Sequence, residues 1–382
     1  MSNGIILETS QRQAVDAVEK WFKTTSKRHE RFVLAGLAGT GKTTIVKCII
    51  EELKLEKDEV AFCAYTGKAA MVLTHKGTPA TTMHKLMYDC EEDSETKEMK
   101  FFKKDMLDNC LKLIVVDEAS MVGKEMQADL ESYGIPVLYV GDHGQLPPVG
   151  EGYNNLMLSP SITLEKIHRQ AEGNPIIFLA KLARLGAKIP YKAFGDKCIK
   201  LTASECTGTM LLASDQILCG KNETRKKLNL RIRALSGIQS PTVAQKDRII
   251  CLRNNWNKGY INGMTGQVIS LYDFDTKACS EKDYWKYTGS KAMTFRDDMG
   301  EVYTNVPYDP AIFSGGQPDM RNRTIECFDY AYAITVHKSQ GSQYLCPIVY
   351  EEYLGNADFH KKWLYTAVTR AADGLIIVGT GR

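Results

Sequence analysis

Apolar residues gather along this chain in short runs of strand length, separated by stretches where they recur at helical spacing. FVLAG (32–36), EVAFCAY (59–65), LKLIVVD (111–117) and PVLYVGD (136–142) read as buried strands, and KTTIVKCIIEELK (42–54) as a helix with one apolar stripe. Uninterrupted apolar strands interleaved with helices predict an α/β domain with a parallel sheet covered on both faces. A second alternating block has helices at 174–186, 221–236 and 359–372, and strands at 215–220, 331–337, 347–353 and 374–379. Between its halves, residues 243–325 are rich in aromatics and turn residues, as expected of a small inserted antiparallel β module. A charged stretch, 88–105, interrupts the first block and reads as a hairpin or loop ending in KFF. The expected domains are therefore 1–165, a second made of 166–242 and 326–382, and the insertion 243–325.

Composition narrows this only slightly. With 382 residues, 43% hydrophobic and 25% charged, the chain has the make-up of an ordinary globular protein. A net charge of +3 gives no argument for nucleic acid, so any such reading must rest on local residues. The eleven cysteines are scattered, with no C-x-x-C pair, and several sit in apolar runs (Cys63, Cys219, Cys251). Buried thiols in a reducing compartment are expected rather than disulfides or zinc. The start MSNGIILETSQRQ lacks the form of a signal peptide, and no apolar run is long enough for a bilayer, so a cytoplasmic protein with no membrane partner is expected.

The candidate chemistry begins at GLAGTGKT (36–43), which fits G-x-x-x-x-G-K-T directly between a strand and a helix. Glycines there let successive backbone N–H groups wrap phosphate oxygens at a helix N-terminus. Gly36, Gly39, Thr40, Gly41, Thr43 and Thr44 form that cradle, with Lys42 reaching the β/γ-phosphates and the Thr43 hydroxyl binding Mg²⁺. LIVVDEAS (113–120) then offers Asp117 for the metal and Glu118 to polarise an attacking water. An apolar run ending in Asp-Glu is weak evidence alone, but with the phosphate loop upstream it indicates ATP hydrolysis. GDHGQLPPVG (141–150) is a third signal, since it ends a buried strand with a glutamine and two prolines.

GLAGTGKTT, AYTGKAA, VVDEASMV, GDHGQLPPVG, IHRQ, INGMTGQV, YAITVHKSQGSQ and YTAVTRA resemble, in that order, the motifs of superfamily 1 helicases of the RecD/Dda-like branch. The resemblance covers nearly the whole chain. It implies two RecA-like domains with ATP bound in the cleft between them, an SH3-like insertion in the second, and a pin-like hairpin at 88–105 in the first. By the same resemblance Gln145 senses the γ-phosphate, Arg169 and Arg370 contact phosphates, Gln11 reads adenine, and Gly341 joins the nucleotide site. Thr66, Lys68, His84, Pro147, Asn262, Thr335, His337 and Lys338 become contacts to the nucleic-acid backbone. Tyr65 stands where the family usually has proline, which supplies either an altered turn or a stacking face. Asn262–Gly263 reads equally as a nucleic-acid contact and as a hairpin turn. Phe101 and Phe102 are expected to anchor the hairpin to the core rather than stack on a base pair, and the helix bearing Arg225, Lys226, Lys227, Arg231 and Arg233 to be a solvated face.

The resemblance thus implies a monomeric, ATP- and Mg²⁺-dependent 5′→3′ translocase and DNA helicase. Its partners would be single-stranded DNA, single/double-strand junctions, and replication or recombination proteins. Three rivals stand beside it: the same motor acting on RNA or displacing proteins, a non-motor ATP switch that loads a partner, and a nuclease.

Overall fold

A computed structural model describes residues 7–24, 31–92, 99–147, 155–165, 173–255, 258–275, 277, 289–319 and 324–379. The chain forms two compact units. The first contains Met1–Cys90, Phe101–Lys188 and Gly355–Thr369, and the second contains Glu91–Lys100, Ile189–Leu354 and Arg370–Arg382.

In chain order the first unit opens with α1 (Thr9–Thr24), β1 (Arg31–Gly36), α2 (Lys42–Leu53), β2 (Val60–Ala64), α3 (Gly67–His75), β3 (Thr81–Thr82) and α4 (Met83–Met87). A hairpin pair, β4 (Tyr88–Glu92) and β5 (Met99–Lys103), precedes β6 (Leu113–Asp117), α5 (Lys124–Glu131), β7 (Val137–Gly141) and β8 (Ile162–Leu164). The sheet order is β3-β2-β6-β7-β1-β8, with every pairing parallel. Alternate residues of each strand supply opposite faces. Val33, Cys63, Ile114, Val116 and Tyr139 pack on one side with Met83, Met87 and Leu130, while Phe32, Leu34, Leu113, Val115 and Leu138 pack on the other with Ala14, Val18, Ile45 and Ile49. Burial on both faces explains why these strands read as continuous apolar runs.

Two helices expected in the second domain belong to the first unit. One is α6 (Pro175–Leu185), which Asn174 caps by accepting the Ile176 N–H and which Gly186 ends in the left-handed region at φ 69°. The other is the helix Ala357–Val368, whose Trp363, Leu364, Tyr365, Thr366, Ala367 and Val368 are all buried. The two pack against one another, so their apolar stripes were legible but not the partner that they would choose.

The second unit holds β9 (Ala193–Phe194), β10 (Cys198–Thr202), α7 (Gly208–Ala213), β11 (Ile217–Cys219) and α8 (Asn222–Leu235). Then come β12 (Arg248–Cys251), β13 (Thr265–Asp273), β14 (Lys291–Asp297), β15 (Val302–Tyr308), β16 (Phe328–Tyr330), β17 (Ala333–Thr335), β18 (Ile348–Glu351) and β19 (Leu375–Gly379). Its main sheet runs β17-β11-β18-β19-β10-β9, parallel except for the edge strand β9. The expected β module is a five-stranded antiparallel sheet, β15-β14-β13-β12-β16, whose last strand lies just beyond the expected boundary. The ten cysteines among the described residues are free thiols, and Cys63, Cys219 and Cys251 are buried.

The basic helix α8 corrects one expectation. Lys226, Lys227 and Arg231 are exposed, but Arg233 is buried. Its Nε lies 3.0 Å from Asp247 Oδ1, its two terminal nitrogens donate to the carbonyls of Ser240 and Thr242, and its guanidinium stacks over the Tyr330 ring. Asp247 also accepts from Tyr332 Oη and the Ala244 N–H. Arg225, mostly buried, pairs with Asp329 at 2.8 Å. A charge run shows net solvation tendency, not which member turns inward. Because Asp247 is fully buried, Asp247→Ala strands the Arg233 guanidinium, and we expect a loss of about 3–5 kcal/mol, read as a lower urea midpoint.

Candidate functional site

The carboxyl ends of β1, β7 and β6, three neighbouring parallel strands, carry the first unit's chemistry. After β1 the chain folds back on itself over Leu37–Gly41, with Gly39 at φ 84° and Gly41 at φ 83°. Thr40 is fully buried and its hydroxyl donates to the Leu37 carbonyl at 2.9 Å. Lys42, opening α2, donates through Nζ to the carbonyls of Gly36 (2.8 Å) and Leu37 (3.0 Å), so its ammonium lies over the loop. Thr43 and Thr44 follow on the exposed side of the first helical turn. The loop has no room to spare. A Cβ on Gly36 would sit 2.6 Å from Thr40 Oγ1, and one on Gly41 would sit 2.8 Å from Gln11 Nε2.

Gln11 is buried against this loop. Its amide donates to the Thr40 carbonyl at 3.2 Å, and its oxygen accepts the Glu8 N–H. One amide hydrogen and one lone pair remain for a base edge.

Asp117 ends β6 and accepts the Glu118 N–H at 2.9 Å. Burial pushes its carboxyl above the ordinary range, and Lys42 and Lys76 pull the other way. Glu118 occupies the left-handed region at φ 51°, rare for a residue with a side chain, and it starts the short turn Ala119–Met121. Thr43 and Asp117 are hard oxygen donors of the kind Mg²⁺ takes, and Asp117 sits within the electrostatic reach of Lys42.

Beyond β7, Asp142 is buried, with Oδ1 accepting the Gly144 N–H at 2.9 Å and its carbonyl accepting the Gln145 N–H at 3.2 Å. Gln145 is 5% exposed and its Oε1 has no partner among the described residues. A buried acceptor beside a phosphate loop suits a glutamine that orients water or meets a phosphoryl group. Tyr365 Oη donates to Asp142 Oδ2 (2.8 Å) and accepts the Ala38 N–H (3.1 Å), while Thr366 Oγ1 accepts the Leu146 N–H (2.9 Å). Pro147 is half-buried next to Leu146. Burial lowers His143 below the usual histidine range, with Asp142 opposing. Sequence reading passed over Tyr365 and Thr366 because only their place beside Asp142 and Leu146 gives them a task. Their signal was the YT of YTAVTRA.

The expected nucleic-acid residues of this unit lie around α3, α4 and the hairpin. Thr66 caps α3 by accepting the Ala69 N–H at 3.2 Å, and Lys68 follows in the first turn. His84 is exposed on α4 and is ringed by Tyr65, Tyr88 and Phe101 at centroid distances of 6.4, 5.9 and 6.2 Å. Tyr65 meets His84 edge-on, at an interplanar angle of 64°. The hairpin base is tied to α5, where Lys103 pairs with Asp129 at 3.0 Å and the Tyr88 hydroxyl donates to the same carboxylate. Phe101 and Phe102 are 57% and 49% exposed, which overturns the expectation that they anchor the hairpin. Tyr88, Lys103 and Tyr133 make that attachment instead, leaving the phenylalanines outward.

In the second unit Thr335 ends β17, and His337 and Lys338 lie in the turn Val336–Ser339 that follows. Burial lowers both His337 and Lys338, with Arg225 adding to the effect on Lys338. Lys338 Nζ donates to Asn262 Oδ1 at 3.4 Å, bringing a residue of the β module to this turn. Gly263 adopts φ 88°, as a turn requires. Arg370 is 6% exposed and donates to the Ser342 carbonyl at 3.1 Å, next to Gly341 at φ 76°. Arg169 and Pro148 lie outside the described residues.

This geometry agrees with the comparisons to known proteins. Residues 6–194 match the AAA domain family, and 330–378 match the UvrD-like helicase C-terminal domain. The ATP-dependent RecD2 DNA helicase of Deinococcus radiodurans is 28% identical over 371 residues, covering 92% of this chain and 47% of that protein. The ATP-dependent DNA helicase dda of Enterobacteria phage T4 is 29% identical over 193 residues, 47% of this chain and 43% of that one. The chain spans less than half the length of both. A Bacteroides Pif1 structure bound to ssDNA shares the fold with a TM-score of 0.58 at 20% identity, over 98% of this chain and 92% of that chain. Fold and motifs together are consistent with a superfamily 1 helicase fold of two RecA-like α/β units. Within that class the chain is similar to the RecD/Dda-like branch, to which its RecD2 and dda relatives point.

Gly41→Ala tests the loop. The left-handed backbone costs an L-residue about 1–2 kcal/mol, and the new methyl meets Gln11. We expect ATP binding to weaken at least about tenfold, measured with a fluorescent nucleotide. Gly77→Ala, which has the same left-handed backbone but nothing near its added methyl, is expected to leave binding unchanged.

Proposed function

We propose that this chain is an ATP-driven 5′→3′ single-stranded DNA translocase that opens duplex ahead of it. The observation that supports it most is the convergence of Lys42, Asp117 and Gln145 on adjoining strand ends. In that reading Lys42 and the loop amides hold the β- and γ-phosphates, and Gln11 meets the base. Glu118 accepts a proton from the attacking water, which Gln145 orients. Arg169 and Arg370 keep the role the resemblance gives them, as cationic partners of phosphoryl oxygen. Thr43 and Asp117 would hold Mg²⁺, which supplies charge neutralisation at the phosphates when bound.

The strand is held by Thr66, Lys68, His84 and Pro147 in one unit and by Asn262, Thr335, His337 and Lys338 in the other. Hydroxyl, imidazole and ammonium groups suit phosphate and sugar rather than base edges, so binding is expected to be indifferent to sequence. Burial lowers His337 below the usual histidine range and so favours its neutral, hydrogen-bonding form. The β module, through Asn262, contributes to the same grip. Its SH3-like character, a monomeric state, and replication or recombination proteins as partners belong to this reading too. Among the described residues no helix is long and apolar enough to cross a membrane.

Partial duplexes carrying a 5′ or a 3′ single-stranded tail, with ATP, test polarity. Opening from the 5′ tail is expected, and preferential opening from the 3′ tail would overturn it. Matched RNA duplexes separate an RNA motor, and shortened labelled strands with Mg²⁺ would reveal a nuclease. Lys42→Ala is expected to abolish turnover. His337→Ala is expected to lower DNA-stimulated turnover more than basal turnover, and equal loss of both would remove His337 from the strand path.

A further inference from the structure

Two consecutive residues of the helix Ala357–Val368 make three polar contacts to the nucleotide side of the first unit. Tyr365 is 2% exposed and Thr366 fully buried. The tyrosine hydroxyl uses both of its capacities, accepting from Ala38 inside the phosphate loop and donating to Asp142. The threonine hydroxyl donates to the Lys362 carbonyl at 2.7 Å and accepts the Leu146 N–H. Between the two anchored points sit Gly144 and Gln145. Gly144 is also the reason the ring can approach, since a Cβ there would lie 2.8 Å from Tyr365 Cε1.

We propose that Tyr365, assisted by Thr366, is a positioning residue that carries the state of the phosphate loop to Gln145. This rests on the ATPase reading above. Amides of such a loop are donors for phosphoryl oxygens. An incoming phosphoryl oxygen competes with the Tyr365 hydroxyl for the Ala38 N–H, and a charged acceptor holds an N–H more strongly than a neutral one. Any shift of the hydroxyl is felt by Asp142, which is buried and fixes the Gly144 and Gln145 amides. Leu146, the next residue, is tied to the same helical turn. The glutamine is thus bracketed by contacts to one helix, and its unpartnered Oε1 is aimed by them.

Tyr365→Phe removes one oxygen and keeps the ring, and the basal rate is measured without oligonucleotide. Loss of positioning lowers kcat at least about tenfold while the KM for ATP stays within about twofold. A kcat within about twofold of the parent overturns the proposal. A merely structural hydroxyl would lower the melting temperature and leave kcat, measured well below it, unchanged. If Tyr365→Phe does not fold, Thr366→Val and Thr366→Ser decide. Valine is expected to lower kcat and serine to restore most of the loss, whereas equal rates in both overturn the proposal. Adding oligonucleotide to the parent separates the two readings. A parent that is not stimulated removes the motor and leaves the basal comparison standing.

Discussion

Parallel pairing of β1, β7 and β6 is the constraint on which the chemistry of the first unit depends. Parallel strands all end on the same side, and neighbours lie about 4.8 Å apart. Gly36, Asp142 and Asp117 leave the sheet at adjoining points for that reason, whatever their distance along the chain. The loop after each strand then needs only a few residues to bring an amide, a carboxylate or an amide side chain toward the same place. The two apolar faces keep the strands in register, because a slip of one residue would exchange the sets of side chains on opposite faces.

Much of this was legible in the chain itself. Strands buried on both faces leave apolar runs without alternation, and a phosphate loop needs glycines at fixed spacing, so both leave a direct trace. What stayed hidden depends on the partner in space. The apolar stripe of the helix Ala357–Val368 was visible, but not that it packs with α6. Apart from the resemblance, Gln11 is only a polar residue near a helix start, and folding sets its amide against Thr40. Phe101 and Phe102 looked like anchors because they are apolar, yet Tyr88 and Lys103 do the anchoring through Asp129. The short strands β3 and β9, of two residues each, carry too little pattern to be read.

The second unit shows how little the net charge of the chain says about its interior. Arg233 with Asp247 and Arg253 with Glu326 are buried pairs, and Glu352 accepts the Gly220 and Lys221 amides together with the Thr224 hydroxyl. Such groups fix where α8 and the strands around it must lie, since a misplaced turn would leave a charge without a partner. This ordering reaches the turn with His337 and Lys338 through Arg225, which pairs with Asp329 and adds to the electrostatic load on Lys338.

Glu118 sits with left-handed backbone angles that glycine or asparagine would adopt with less strain. Either replacement would ease the turn and discard the carboxylate. With the role proposed for Glu118, evolution toward greater robustness is blocked at this residue as long as that chemistry is under selection. Extra rigidity has to be acquired elsewhere in the sheet, and a lineage released from the chemistry should drift here first.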